Sequence, residues 1–159
     1  MVGDSLDPED WDALRAAAHD MLEAALNKMQ TASEGRVWTP LPDDIKQSLT
    51  TKLPREGIGI ARTQQAVQAL LPYGVGNTHP RFFGWVHGAG TPGGMVADIA
   101  AAAMNANLGG RDHGAIYVEE QVVAWVRELF DFPAGSSGLV VSGTSMATVV
   151  AWKVARDVK

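Results

Sequence analysis

The feature that most narrows the possible folds of this chain is one short run, Gly138-Leu-Val-Val-Ser142, apolar and β-branched, bounded by Gly135-Ser136-Ser137 and by Gly143. Such a run reads as a buried strand. A helix over 145–157 is expected to follow at once, whereas the sequence before the run offers helices only. A lone strand leaves its peptide groups unpaired and needs further strands beside it. The expectation is therefore an α/β fold whose sheet is completed by residues outside these 159, a sequence that looks unfinished.

Upstream of that run the patterning is helical. Asp7-Pro8-Glu9-Asp10 supplies an N-cap, a first-turn proline and acids that complement the helix dipole, which predicts a helix starting there. Trp11, Leu14, Ala18, Met21, Leu22, Ala25 and Met29 then recur at spacings of three and four, one apolar stripe running to about residue 32. A stripe this long calls for a partner surface on another chain, the alternative being a hairpin onto a short helix at 43–53. Trp38-Thr-Pro-Leu-Pro42 forbids helix and reads as an extended linker, and a second short helix is expected at 63–71. The segment 74–94 changes character, with seven glycines and the rings Phe82, Phe83 and Trp85; helices at 94–107 and 115–131 should follow around a glycine-rich loop.

Composition closes off several functions. With 46% hydrophobic and 19% charged residues the chain has the profile of one globular domain rather than a disordered tail. Its net charge of −5 and lack of a basic cluster argue against a nucleic-acid partner. Without cysteine it has no disulfide, thiolate nucleophile or cysteine-based zinc site, and no metal site is expected; a reducing compartment, the cytoplasm, is the expected location. The acidic opening, Asp4, Asp7, Glu9 and Asp10, does not read as an export signal. The most apolar stretch, 93–106, is broken by Asp98 and falls short of the roughly 20 residues that cross a bilayer, so no membrane association is expected.

The sharpest chemical feature is Val140-Val-Ser-Gly-Thr-Ser-Met-Ala-Thr148, in which a strand delivers small hydroxyl residues to a helix N-terminus. Unpaired first-turn amides and the helix dipole favour an anion there, and the Thr144 and Ser145 hydroxyls would add donors; ordinary helix capping is the other reading. Gly143-Thr-Ser-Met-Ala147 also resembles the nucleophile motif of subtilisin-like proteases, but the upstream Asp and His segment that would activate Ser145 is missing. Gly88-Ala-Gly-Thr-Pro-Gly93 has the form of a dinucleotide-binding turn, yet the residues before Asp112 form no strand to carry the ribose-binding acid. His113, on a polar glycine-rich loop, reads equally as mobile or as a substrate contact. Glu119 and Glu120 are explained by dipole complementarity near a helix start.

Four motifs in order, Asn77-Thr-His-Pro-Arg-Phe-Phe-Gly-Trp-Val86, Asn105 in a small-residue helix, Val118-Glu-Glu-Gln-Val-Val-Ala-Trp125 and Ser142-Gly-Thr-Ser-Met-Ala147, resemble the pyridoxal-phosphate-dependent decarboxylases of the aromatic-L-amino-acid and glutamate decarboxylase group. The resemblance runs from about Arg36 to the end. It implies a fold-type I, PLP-dependent transferase-like architecture, with 1–75 as an N-terminal helical dimerisation segment and 76–159 as the start of the cofactor-binding large domain. It also implies an obligate homodimer, pyridoxal 5'-phosphate as cofactor and an amino-acid substrate, aromatic L-amino acids being the first choice given Trp85. On this resemblance Thr144 and Ser145 hold the cofactor phosphate, Trp85, Val86 and His87 line the substrate pocket, and Ala106 and Leu108 form its following wall. Phe82, Phe83, Trp125 and Trp152 are expected in the core, where large rings stabilise by burial, and His79 is expected to be structural.

Departures from the family pattern bear on activity. Thr144 stands where a small residue is usual and Thr148 where Asn is common. The family's cofactor-stacking histidine, ring-nitrogen aspartate and Schiff-base lysine have no counterpart here, and Lys28, Lys46, Lys52, Lys153 and Lys159 are not placed to supply that lysine. No catalytic residue is assigned. The chain is expected to be the N-terminal part of such a decarboxylase, inactive alone; a non-catalytic dimerisation or regulatory module is the alternative, and a subtilisin-like protease fragment a remote one.

Overall fold

Asp10 sets where the structure begins to be regular. Its carboxylate accepts the amides of Asp12 (3.0 Å) and Ala13 (2.9 Å), so the first helix, α1, spans Trp11–Gln30 and starts later than the Asp7-Pro8 pair predicts. The computed structural model describes residues 7–88, 90–107 and 109–158. Along them follow α2 (Asp43–Ser48), α3 (Ile60–Gln68), a 3-10 turn (Leu71–Tyr73), α4 (Pro92–Met104), α5 (Gly114–Leu129) and α6 (Thr144–Asp157). They fall into two compact units, one through Ile99 and one from Ala100.

In the first unit α1 packs on α3 and the 3-10 turn, not as a hairpin onto a 43–53 helix. Leu14, Met21, Leu22, Ala25 and Met29 of the stripe are half-covered, while Trp11 and Ala18 stay exposed. The second helix is shorter than expected because the Ser48 and Thr50 hydroxyls donate to the carbonyls of Ile45 (2.7 Å) and Gln47 (3.0 Å), a local alternative to further helix. Gly76, at φ +87°, passes so close to the linker that a Cβ there would lie 2.1 Å from the Val37 carbonyl oxygen; only glycine fits. Further on, α4 opens on Pro92, and the Thr91 hydroxyl accepts the Gly94 amide (3.0 Å) as its cap.

In the second unit the anticipated strand at 138–142 pairs with no other strand, and no β-ladder occurs among the described residues. This chain supplies no second run to complete one. The helical part of the α/β expectation is present and the sheet is not.

Among the described residues no apolar side chain is buried. Phe83 (94% exposed) and Trp152 (77%) lie open, and Trp125 does too, so their expected place in a core is not realised within this chain. The chain exposes 13724 Å². A compact monomer of this mass exposes about 7,700 Å², and two separate compact units about 9,200 Å². Large apolar side chains contribute to that surface, Phe83, Val86, Trp152 and Leu129 among them.

Candidate functional site

In the second unit the anticipated phosphate-binding residues lie at the Gly143 turn. Gly143 sits at φ +94°, a conformation side chains disfavour, and turns the chain directly into α6. No side chain caps the first turn of α6, and Thr144 and Ser145 are exposed. The Thr148 hydroxyl instead donates to the Thr144 carbonyl (2.9 Å), inside the helix. The capping alternative therefore falls away: first-turn amides and two hydroxyls stand free at the positive end of a fourteen-residue helix, an arrangement able to bind a phosphate. Lys153 lies well along α6, paired to Asp157, which Arg156 also contacts at 2.9 Å. Those two cations hold the Asp157 carboxyl below its ordinary range.

In the first unit the anticipated pocket residues lie on an aromatic loop. The Asn77 side-chain amide donates to the Gly88 carbonyl (2.6 Å) and closes the loop. His79, 6% exposed, is the most buried described residue, and its Nδ1 accepts the Arg81 amide at 3.0 Å, consistent with a structural role. Phe82, Trp85 and His87 form a ring cluster with centroids 5.6–6.3 Å apart, Phe82 edge-on to both partners. Trp85 is 71% exposed and Val86 fully so. Of the anticipated pocket residues the structure thus brings Trp85, Val86 and His87 onto one loop.

Ala106 lies in the second unit, exposed, just after Asn105 at φ +43°. Leu108 lies outside the described residues. His113 Nε2 contacts the Asn107 carbonyl (3.0 Å), and the Asn107 side chain accepts the Gly109 amide (2.8 Å), so the 107–113 loop is held by its own polar groups. Beside it, the Asp112 carboxylate, with Glu120 adding repulsion, keeps the Tyr117 hydroxyl protonated above its ordinary range. Among the described residues no cluster of metal-ligating side chains occurs, and no helix is long and apolar enough to cross a membrane.

One contact escaped the sequence reading. The Glu119 carboxylate, on α5, accepts the Val140 amide at 2.7 Å. Dipole complementarity alone does not account for it. A carboxylate reaching a peptide group 21 residues away leaves no periodicity to read.

Comparison with known proteins agrees with these motifs. The chain is 38% identical over 85 residues to an aromatic-L-amino-acid decarboxylase of Bacillus atrophaeus, covering 51% of this chain and 17% of that protein. It is 26% identical over 138 residues to a cysteine sulfinic acid decarboxylase of Rattus norvegicus (86% of this chain, 28% of that protein) and 26% over 145 residues to that of Homo sapiens (90% and 29%). The matches thus span less than a third of the length of these relatives. No protein-family profile and no solved structure matches the chain.

Proposed function

We propose that this chain is the N-terminal part of a pyridoxal-5'-phosphate-dependent amino-acid decarboxylase. The observation that carries the reading is the uncapped N-terminus of α6, which falls on the motif where the family resemblance puts the cofactor phosphate. The residues present fit that group. A phosphate dianion would take the first-turn amides together with the Thr144 and Ser145 hydroxyls, and Gly143 lets it approach the backbone without a Cβ in the way. Bound there, the cofactor supplies an electron sink for loss of carbon dioxide from an amino acid. This chain's residues anchor and orient the phosphate end. The ring loop with Trp85, Val86 and His87 is the part of this chain that the family resemblance assigns to the substrate, and the Phe82–Trp85–His87 cluster favours an aromatic L-amino acid.

The same reading makes 1–75 a helical dimerisation layer and 76–159 the start of the cofactor domain. A homodimer, or union with the remainder of the enzyme, would cover the open apolar surface. That surface also suits the second reading, a non-catalytic dimerisation module. The test is to add pyridoxal 5'-phosphate and aromatic L-amino acids to the chain and to follow cofactor absorbance and carbon dioxide release. Phosphate-competable binding without decarboxylation is expected. Absence of any cofactor binding favours the module, and turnover by the chain alone contradicts its assignment as an incomplete enzyme.

A further inference from the structure

The half-covered side of α5 joins two charged residues, Glu119 and Arg127, to the apolar Ile116, Val123 and Ala124. Glu119, Val123 and Arg127, four residues apart, are half-covered, whereas Val122, Val126 and Leu129 stand open. What covers the row is the chain returning from α5. Arg127 donates to the carbonyls of Ala134 (3.1 Å) and Ser136 (3.5 Å). A Cβ on Gly138 would lie 3.3 Å from Val123 Cγ1. Glu119 accepts the Val140 amide at 2.7 Å.

Each step of four residues along the helix is matched by a step of two along the returning segment. Four helical residues rise about 6 Å, and only extended backbone, at about 6.6 Å for two residues, keeps pace with them. The segment therefore lies along α5 in register, held by a donor at one end, a bare backbone position in the middle and an acceptor at the other. Three residues after Val140 comes Gly143, where the chain turns into α6.

We infer that Glu119 is a positioning residue for the phosphate turn. Its carboxylate takes the Val140 amide that no strand takes here, and so fixes the run-in to Gly143, Thr144 and Ser145 relative to α5. A charge-assisted bond to a peptide N–H is among the stronger local restraints available to a half-exposed segment. The inference rests on the phosphate reading of the turn for its functional meaning, and the tether itself is measured independently of it.

The experiment compares the full chain with Glu119→Gln, Glu119→Ala and Gly138→Val by amide hydrogen exchange and by titration with inorganic phosphate. Gln keeps an acceptor oxygen and loses the charge, so a role in the helix dipole impairs Gln and Ala alike whereas a tether is weakened in Gln and lost in Ala. The expected result is Val140 protection reduced at least about tenfold in Glu119→Ala and within about threefold of the parent in Glu119→Gln, with phosphate affinity following the same order. Gly138→Val pushes the segment off Val123 without touching α5 and should reproduce the Ala result, which guards against simple misfolding of the Glu119 variant. Equal Val140 exchange in Glu119→Ala and the parent, or equal impairment of Gln and Ala, overturns the inference. A parent chain with no phosphate response contradicts the function proposed for the turn, while Val140 exchange still decides the tether. In the control Thr144→Ala/Ser145→Ala, phosphate affinity should fall with Val140 protection intact.

Discussion

Asp10 shows how much a single carboxylate decides. It satisfies two first-turn amides that have no partner within α1, and Asp10→Ala should lower stability by about 1 kcal/mol, read as a lower midpoint of the helical circular dichroism signal. Under the proposed function Thr144 and Ser145 would instead donate, through their hydroxyls, to a phosphate at the uncapped start of α6. Their joint replacement by Ala should weaken phosphate binding, each charge-assisted bond contributing on the order of 1.5 to 3 kcal/mol. Tyr117 gives a pH signature. Asp112 raises its pKa in the folded chain, so the contribution is fully present below the unfolded value and is lost as pH rises through the folded one. In a Tyr73→Phe background the remaining tyrosine should ionise above about pH 10, and Asp112→Asn should bring it back, followed by ultraviolet absorbance. The turn at Gly143 and the start of α6 at Thr144 were legible because glycine and helix start are contiguous in sequence, whereas the strand expected before them is not formed. Glu119 was not legible, because its partner is 21 residues away and a glutamate near a helix start already has an explanation.

Among the elements, the helices were legible and their ends less so. The stripe of α1 and the proline-rich linker after it declare themselves by spacing and by backbone restriction. The start of α1 moved because two acids competed for the cap and Asp10 took it; α2 ended early because hydroxyls captured its last carbonyls. On α5 hydrophobicity picked out the half-covered Ile116 and Val123 but not Glu119 and Arg127, which hold the loop lying on that side. At the other end of the chain Lys153 and Arg156 depress the Asp157 pKa, so that contribution is present above the unfolded value and is lost as pH falls through the folded one. The parent should fray at the end of α6 as pH falls, whereas Asp157→Asn, with no carboxyl to protonate, should show raised last-turn amide exchange already at neutral pH and without that acid dependence.

For the molecule as a whole, the dominant physical fact is that no apolar side chain among the described residues is buried. Trp125, Trp152 and Phe83 carry large apolar faces that stand exposed in this chain. The chain should accordingly sediment as a dimer or larger species, with Trp11→Ala shifting it towards monomer; a monodisperse monomer at high concentration contradicts the partner assigned to α1. The unpaired 138–142 run belongs to the same account, since strand pairing is a property of the neighbours and not of the run. The central claim, that the Gly143 turn is a cofactor-phosphate site, is tested most directly by titrating the isotope-labelled chain with pyridoxal 5'-phosphate and following backbone amides. The account predicts that the largest shifts fall on Thr144, Ser145 and Met146 and are reversed by excess inorganic phosphate; unmoved amides there, with changes elsewhere or none, would contradict it.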